Sequence, residues 1–165
     1  MQLLISDSNI FIDMEVSNLT ERMFRLPYRF AVPDILYAME LAEEHADLME
    51  MGLEIKTLHS DTVAYAERIV PKYRKASLND LLALALAKQE ACPLVTGDQA
   101  LRKAGTAEAV MILGTIWIVE EMVRHEIIDT EEATKAFAQM KENERRLPWD
   151  VVEMKLREMR EAKPD

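Results

Sequence analysis

The stretch Ser77–Asp98, SLNDLLALALAKQEACPLVTGD, decides how this chain folds. Ser77 and Asp80 have the S-x-x-D spacing of a capping box, which starts a helix. The residues that follow, LLALALA, are apolar on nearly every side. A helix over 77–91 is therefore expected to be buried all round, between a sheet and its neighbours. Cys92-Pro93 breaks that helix, Leu94–Thr96 reads as a short strand, and Thr96-Gly97-Asp98 stops it. A buried helix leading into a buried strand is the repeating unit of a parallel sheet with helices on its faces. The stretch also carries one carboxylate at the start of its helix, Asp80, and another just beyond its strand, Asp98.

Working outward, the same alternation continues. Gln2–Ser6 (QLLIS) reads as a buried first strand, ended by Asp7-Ser8-Asn9, all good helix caps. A short helix begins at Ile10, and Ser17–Arg25 forms a second. Phe30–Val32 is a brief strand. Pro33 suits a first helical turn, and the pattern predicts one long acidic helix from there to Met51, closed by Gly52. Ile35, Leu36, Met39, Ala42, Ala46 and Met49 share its apolar face, with Glu40 beside that face. Glu54–Leu58 alternates like a strand, and Ser60–Val70 is a helix that Pro71 ends. After Asp98, a helix over Gln99–Ala104 is closed by Gly105. Ala109–Leu113 is a strand, and Ile116–Arg124 is a helix. Two amphipathic helices follow near Thr130–Glu142 and Pro148–Ala162. The expected architecture is a three-layer α/β/α domain over residues 1–125, with a central parallel sheet of four to five strands. Residues 126–165 form a helical extension, packed on the domain or at a dimer interface. Trp149, Val152, Met154 and Leu156 could supply such a face.

Composition narrows the function classes. The 165 residues are 49% hydrophobic, enough for one domain with a core. No apolar run approaches the roughly 18 residues of a membrane span. The first residues lack a basic region, so they read as a strand and not as a secretion signal. A single cysteine excludes a disulfide framework and fits the cytoplasm. With one Cys and three scattered His, no zinc site is readable. The net charge of −10 argues against broad nucleic-acid binding driven by phosphate neutralisation. It leaves room for a nuclease whose acids are neutralised by metal.

Ligands of an open parallel sheet bind beyond the carboxyl ends of its strands. Asp7 and Asp98 both follow strands and belong on that edge. Asp80 opens the helix that returns to the sheet. Carboxylates gathered there repel unless a cation joins them, and oxygen-only ligands select Mg²⁺ or Mn²⁺. Each acid also has an ordinary role: Asp7 and Asp98 as helix caps, Asp80 in its capping box, Glu40 as a solvated residue of an acidic helix. Spacing alone stops at an α/β domain with an acidic pocket.

The wording of four segments goes further. Asp7-Ser8-Asn9-x-x-Ile12, Met39-Glu40-Leu41, Leu78-Asn79-Asp80-x-x-Ala83-x-Ala85 and Leu94-Val95-Thr96-Gly97-Asp98-x-x-Leu101 resemble, in order and spacing, the successive motifs of PIN-domain nucleases. The resemblance covers residues 2–125. It implies an acidic quartet of Asp7, Glu40, Asp80 and Asp98 that binds Mg²⁺ or Mn²⁺ and cleaves RNA. It implies, for the VapC-like group, the toxin half of a toxin–antitoxin pair, a homodimer held by a small antitoxin protein. The Pro33…Tyr37…Glu40 spacing and Gly114-Thr115 also look like a related predicted nucleic-acid-binding subgroup. Where some members carry a further acid after the last strand, this chain has Thr115-Ile116-Trp117.

Around the quartet, Ser8, Asn9 and Thr96 are candidates to orient carboxylates or water, and equally serve as caps and turn residues. Lys72, Arg74 and Lys75 form the most basic short run and, with Arg102 and Lys103, are candidate phosphate contacts. The leading expectation is a metal-dependent endoribonuclease. The rival is a catalytically silent module of the same fold that binds a protein or nucleic-acid partner. Phosphoryl transfer through Asp7 as a nucleophile ranks last, because position 9 is Asn where such phosphatases show a second Asp.

Overall fold

β1 (Gln2–Ser6) is the central strand, and its last three residues are buried. In the computed structural model, which describes residues 1–162, it is flanked by β2 (Tyr28–Pro33) on one side and β4 (Leu94–Val95) on the other. β3 (Glu54–Lys56) and β5 (Ile112–Leu113) form the edges of an all-parallel sheet ordered β3-β2-β1-β4-β5. Ile5 pairs with Ala31 in β2 and with Leu94 in β4, and Val95 pairs with Leu113. The chain first winds outward from β1 to β3, then returns to the other side of β1. The winding direction therefore reverses between β1 and β4, the place where open parallel sheets form a crevice.

Helices cover both faces. α1 (Ser8–Val16) and α2 (Thr20–Met23) follow β1. α3 (Asp34–Leu36) runs on as a π-helical turn over Tyr37–Leu41, and α4 is Asp47–Met51. α5 (Ser60–Ile69) packs along α6 (Leu78–Glu90). α7 (Gln99–Ala107) links β4 to β5, and α8 (Thr115–Arg124), α9 (Thr130–Glu142) and α10 (Trp149–Glu161) complete the chain. α6 meets its expectation. Both halves of the Ser77/Asp80 capping box are made, and every residue from Leu81 to Ala87 is buried. Its four buried leucines contribute about 2 kcal/mol each in removed apolar surface.

The C-terminal helices are built into the same core. Ala133, Ala136, Phe137 and Met140 of α9 and Val152 and Leu156 of α10 are buried, against α1 and α8 among others. Met154 stays 46% exposed, and Lys141 stands over the Trp149 ring. The α9–α10 linker is tied down by Arg145, whose Nε donates to buried Asp13 of α1 at 2.6 Å. Thr115 at the start of α8 donates to the other Asp13 oxygen.

Several boundaries differ from expectation. The single helix over 33–51 is interrupted: after the π turn, only turns connect Leu41 to α4, which begins at Asp47. The shared apolar face dissolves with it, and Ile35, Met39 and Met49 are exposed. α2 is shorter than Ser17–Arg25, and the strands over 54–58 and 109–113 shrink to Glu54–Lys56 and Ile112–Leu113. α5 does end just before Pro71, at Ile69, and the chain continues only as a 3₁₀ turn, Val70–Lys72, with Pro in its first turn. Gly105 does not close α7 but lies buried inside it, where a Cβ would run into the Ile112 side chain. The glycine is there so that α7 and β5 can approach.

Gly105→Val should therefore cost about 1–3 kcal/mol by overpacking. Ile112→Ala in the same chain should restore part of the loss, measured as a non-additive double-mutant cycle in urea denaturation. Purely additive costs would show that the two residues do not share the space.

Candidate acidic active site

Asp7 emerges at the crevice, one residue past β1. Its backbone N–H donates to the Val95 carbonyl at 3.2 Å, so β1 and β4 are still paired where it begins. Its side chain is the N-cap of α1, accepting from Ile10 N at 3.3 Å. Its second oxygen accepts from the Thr96 hydroxyl and, at 3.5 Å, from Asn9 Nδ2. Thr96, fully buried just after β4, also accepts from the backbone N–H of Asp98 at 3.1 Å. One hydroxyl thus ties the end of β1 to the start of α7.

Asp98 caps α7 through Oδ1 alone, taking Ala100 N at 2.8 Å and Leu101 N at 3.4 Å. Asp80 caps its own helix through Oδ2, taking Ser77 N at 3.2 Å. Asp98 Oδ2 and Asp80 Oδ1 accept nothing from any described residue, and both reach solvent. Glu40 sits on the π turn, where Ala42 N reaches back to the Tyr37 carbonyl at 2.8 Å. The extra residue in that turn shifts the helix face, a device frequent at functional sites. Glu40 Oε1 accepts from Ser8 Oγ at 2.8 Å and Oε2 from Asn79 Nδ2 at 3.0 Å, which bridges α1 to α6.

The electrostatics bind these acids into one cluster. Burial pushes the Asp7 carboxyl up to about 7, opposed by the Thr96 hydrogen bond and reinforced by the charge of Asp80. Burial also raises the Asp80 carboxyl, against its capping bonds and with help from the charges of Asp98 and Glu40. Among the described residues none of the four carboxylates has a Lys, Arg or His at ion-pair distance, while nine other acidic side chains do.

Among the described residues, no three His, Cys, Asp or Glu side chains stand placed to hold a metal ion together. Asp7 and Glu40 have both oxygens turned onto protein donors, and Asp98 has one. The donor set still fits a hard divalent cation: all oxygen, mutually repelling, without a base, and with two open oxygens on Asp80 and Asp98.

The flanking candidates separate in space. Ser8, Asn9 and Thr96 all touch the quartet. Arg102 lies one turn beyond Asp98, and its guanidinium donates to the Thr96 carbonyl at 2.9 Å. Lys103 is exposed on the same helix. Lys72 and Tyr73 lie near Glu108, at the end of α7 away from Asp98, where Tyr65 and Tyr73 both donate to the Glu108 carboxylate. Arg74 and Lys75 are exposed beside them. Two site features escaped the sequence reading. Asn79 holds Glu40, and its only signal was its place beside Asp80. The Asp13–Thr115–Arg145 group adjoins the crevice, and its partners lie more than a hundred residues apart in the chain.

The sequence matches the family model described as PIN domain (DUF3368) over residues 3–161. Among solved structures, a PilT N-terminus domain protein from the archaeon Sulfolobus solfataricus P2 superposes with a TM-score of 0.53 at 10% identity, covering 71% of this chain and 90% of that one. At that identity the likeness is one of fold. The VapBC2 structure from Rickettsia felis, bound to a DNA fragment from its promoter, gives a TM-score of 0.48 at 17% identity, covering 68% of this chain and 98% of that one. No curated protein matches.

The raised Asp7 pKa makes a prediction for the metal-free protein. An acid with a higher pKa folded than unfolded binds protons more tightly when folded. Its penalty is absent below about pH 4, grows as pH rises, and is complete above about 7. Asp7→Asn should stabilise the chain at pH 8 in EDTA, by an amount on the order of a few kcal/mol, and by much less at pH 5. Equal effects at the two pH values in urea melts would show that Asp7 is not held protonated by the fold.

Proposed function

The chain belongs to the PIN-domain family, whose members are generally nucleases, and from that premise we propose that it is a metal-dependent endoribonuclease working at Asp7, Glu40, Asp80 and Asp98. The observation that carries the proposal is a cluster of four carboxylates at the sheet's crevice that lacks any basic partner among the described residues. A structural cluster of acids would be expected to carry its own counter-charge, as Asp13 does in Arg145.

Mg²⁺ or Mn²⁺, held by these acids, would polarise the phosphodiester and acidify the attacking water. The chain's own residues supply the positioning. Thr96 fixes Asp7 and the backbone of Asp98 relative to each other. Ser8 and Asn79 hold both oxygens of Glu40. Asp80 and Asp98 each spend one oxygen on a helix cap and leave the other without a protein donor among the described residues. Capping and metal binding therefore use different oxygens of the same side chains. Thr96, fully buried between the Asp7 carboxylate and the Asp98 backbone N–H, admits no bulkier group without parting β1 from α7. A toxin role, with a small antitoxin protein as partner and a homodimer as the assembly, is the finer form of the same reading.

Incubated with a panel of RNAs in Mn²⁺ or Mg²⁺, the wild-type chain should cleave. Asp7→Asn and Asp98→Asn should each lose roughly a hundredfold or more, about 3 kcal/mol of transition-state stabilisation. Ser8→Ala, which frees one Glu40 oxygen, should lose about ten- to a hundredfold. Cleavage that survives both Asp substitutions would overturn the site. An absence of both cleavage and calorimetric metal binding would favour a silent partner-binding module. Growth arrest on induction, lost in Asp7→Asn, would support the toxin form.

A further inference from the structure

α9 ends on a stop that aims one side chain back at the acids. Glu144 takes a left-handed conformation (φ 58°), and the Arg145 N–H donates to the Met140 carbonyl at 2.9 Å. Glycine usually makes this helix-ending turn, so a glutamate holds it at some cost in backbone energy. Met140 is fully buried, which anchors the turn. The backbone at Arg145 is thereby fixed. The linker around it, Glu144–Pro148, forms one wall of an open cleft beside β4 and β5.

The Arg145 side chain crosses to α1 and meets two residues one helical turn apart, Asn9 and Asp13. Its Nε donates to Asp13 Oδ1 at 2.6 Å, and the Thr115 hydroxyl donates to Asp13 Oδ2 at 2.6 Å. Both oxygens of this buried acid are occupied, and the charge of Arg145 is matched. Its Nη2 still reaches Asn9 Oδ1 at 3.5 Å, and Asn9 Nδ2 stands 3.5 Å from Asp7 Oδ2. Both spans are long for hydrogen bonds, so the charges on either side decide which way the Asn9 amide faces. The guanidinium draws the amide oxygen and repels its NH₂ group, while the Asp7 carboxylate does the opposite. The amide therefore has one favourable orientation. Without the guanidinium, a turned amide sets its oxygen against the Asp7 carboxylate at lower cost.

We propose that Arg145 is a positioning residue of the acidic site, which holds the Asp7 carboxylate in its cation-binding direction through the Asn9 amide. The role rests on the reading of Asp7 as a ligand of a divalent cation. Asp7 has no solvent exposure, so its oxygens are oriented by donors of the protein: Ile10 N, the Thr96 hydroxyl and the Asn9 amide. Ile10 N is fixed by the backbone of α1, and Thr96 is fully buried just after β4. Asn9 is the half-buried donor of the three, and Arg145 supplies what fixes it. A lysine would match Asp13 as a point charge but lacks the second, divergent N–H group that reaches Asn9. The α9–α10 hairpin, far outside the four motifs, thus takes part in the site without supplying a ligand.

The test uses Arg145→Lys, which keeps the counter-charge of Asp13 and should keep the fold, as urea melts check. In the metal-free chain the side-chain amide resonance of Asn9, assigned by its loss in Asn9→Ala, should shift in Arg145→Lys. Mn²⁺ affinity by calorimetry should fall about three- to tenfold in Arg145→Lys and about tenfold in Asn9→Ala, the lower range for groups that orient metal ligands. The double variant should bind no more weakly than Asn9→Ala alone, because Arg145 acts through Asn9. In RNA cleavage, kcat should fall in Arg145→Lys with KM unchanged. Lys155→Met, which removes the ion pair of α10 with Glu120, should leave the Asn9 resonance and the Mn²⁺ affinity as they are in the wild type. An unmoved Asn9 resonance in Arg145→Lys would overturn the proposal, even in a chain that binds Mn²⁺ and cleaves RNA. So would losses of Mn²⁺ affinity that multiply in the double variant. Coupled losses of Mn²⁺ affinity in a chain that cleaves no RNA would leave the role of Arg145 standing and remove the nuclease reading instead.

Discussion

A fully buried carboxylate that has no basic partner among the described residues is the constraint on which this structure turns. Asp7 has no solvent exposure, and its hydrogen bonds from Thr96, Asn9 and Ile10 offset only part of the desolvation that raises its pKa. An isolated charge in such a place is costly, and proteins usually pair it or neutralise it. Here the next ionisable neighbour is another acid, Asp80. The fold tolerates the arrangement because the backbone leaves no alternative. Asp7 follows the central strand, and its N–H is still pairing with Val95 when its side chain begins. Its position is set by sheet register, and no local rearrangement can move it into water.

The rest of the domain serves that placement. α6 is buried along seven consecutive residues, so its first turn, and Asp80 with it, has little freedom relative to the sheet. The reversal of winding between β1 and β4 opens the crevice, and Thr96 closes its floor by bonding to both Asp7 and Asp98. Glu40 comes from an irregular segment and, among the described residues, is held by Ser8 and Asn79. Three acids thus ride on rigid elements and one on a π turn.

That division also marks what could be read from the residues alone. Asp7, Asp80 and Asp98 each follow a local signal: a strand end, a capping box, a strand-stop before a helix. Local signals survive without tertiary information. Glu40 has no such signal. Helical periodicity placed it beside an apolar stripe on one long helix, and the π turn and the break before Asp47 overrule that phase. Only the Met39-Glu40-Leu41 wording, through its resemblance to a family, pointed to it. Gly105 looked like a stop and is a close-approach residue, a distinction that depends on Ile112 across the α7–β5 contact. The Asp13–Arg145 pair joins residues 132 apart, and no periodicity encodes such a meeting. The short strand β5 and the cleft beside it depend on the same long-range contacts.

The acidic composition and the proposed substrate look opposed until distance is considered. At physiological ionic strength, exposed charges are screened beyond about 8 Å. The solvent-facing acids of the loop after the π turn and of α4, among them Glu43, Glu44 and Asp47, are exposed charges of this kind. What they do affect is encounter, since a surface of one sign repels polyanions that approach without entering a specific channel. A guanidinium fixed by the Thr96 carbonyl and seated against Gly114 is then worth more than several mobile lysines. It stands one helical turn from Asp98, already oriented. Net charge therefore argues against sequence-independent coating of nucleic acid, and not against action on a nucleic acid at one acidic site.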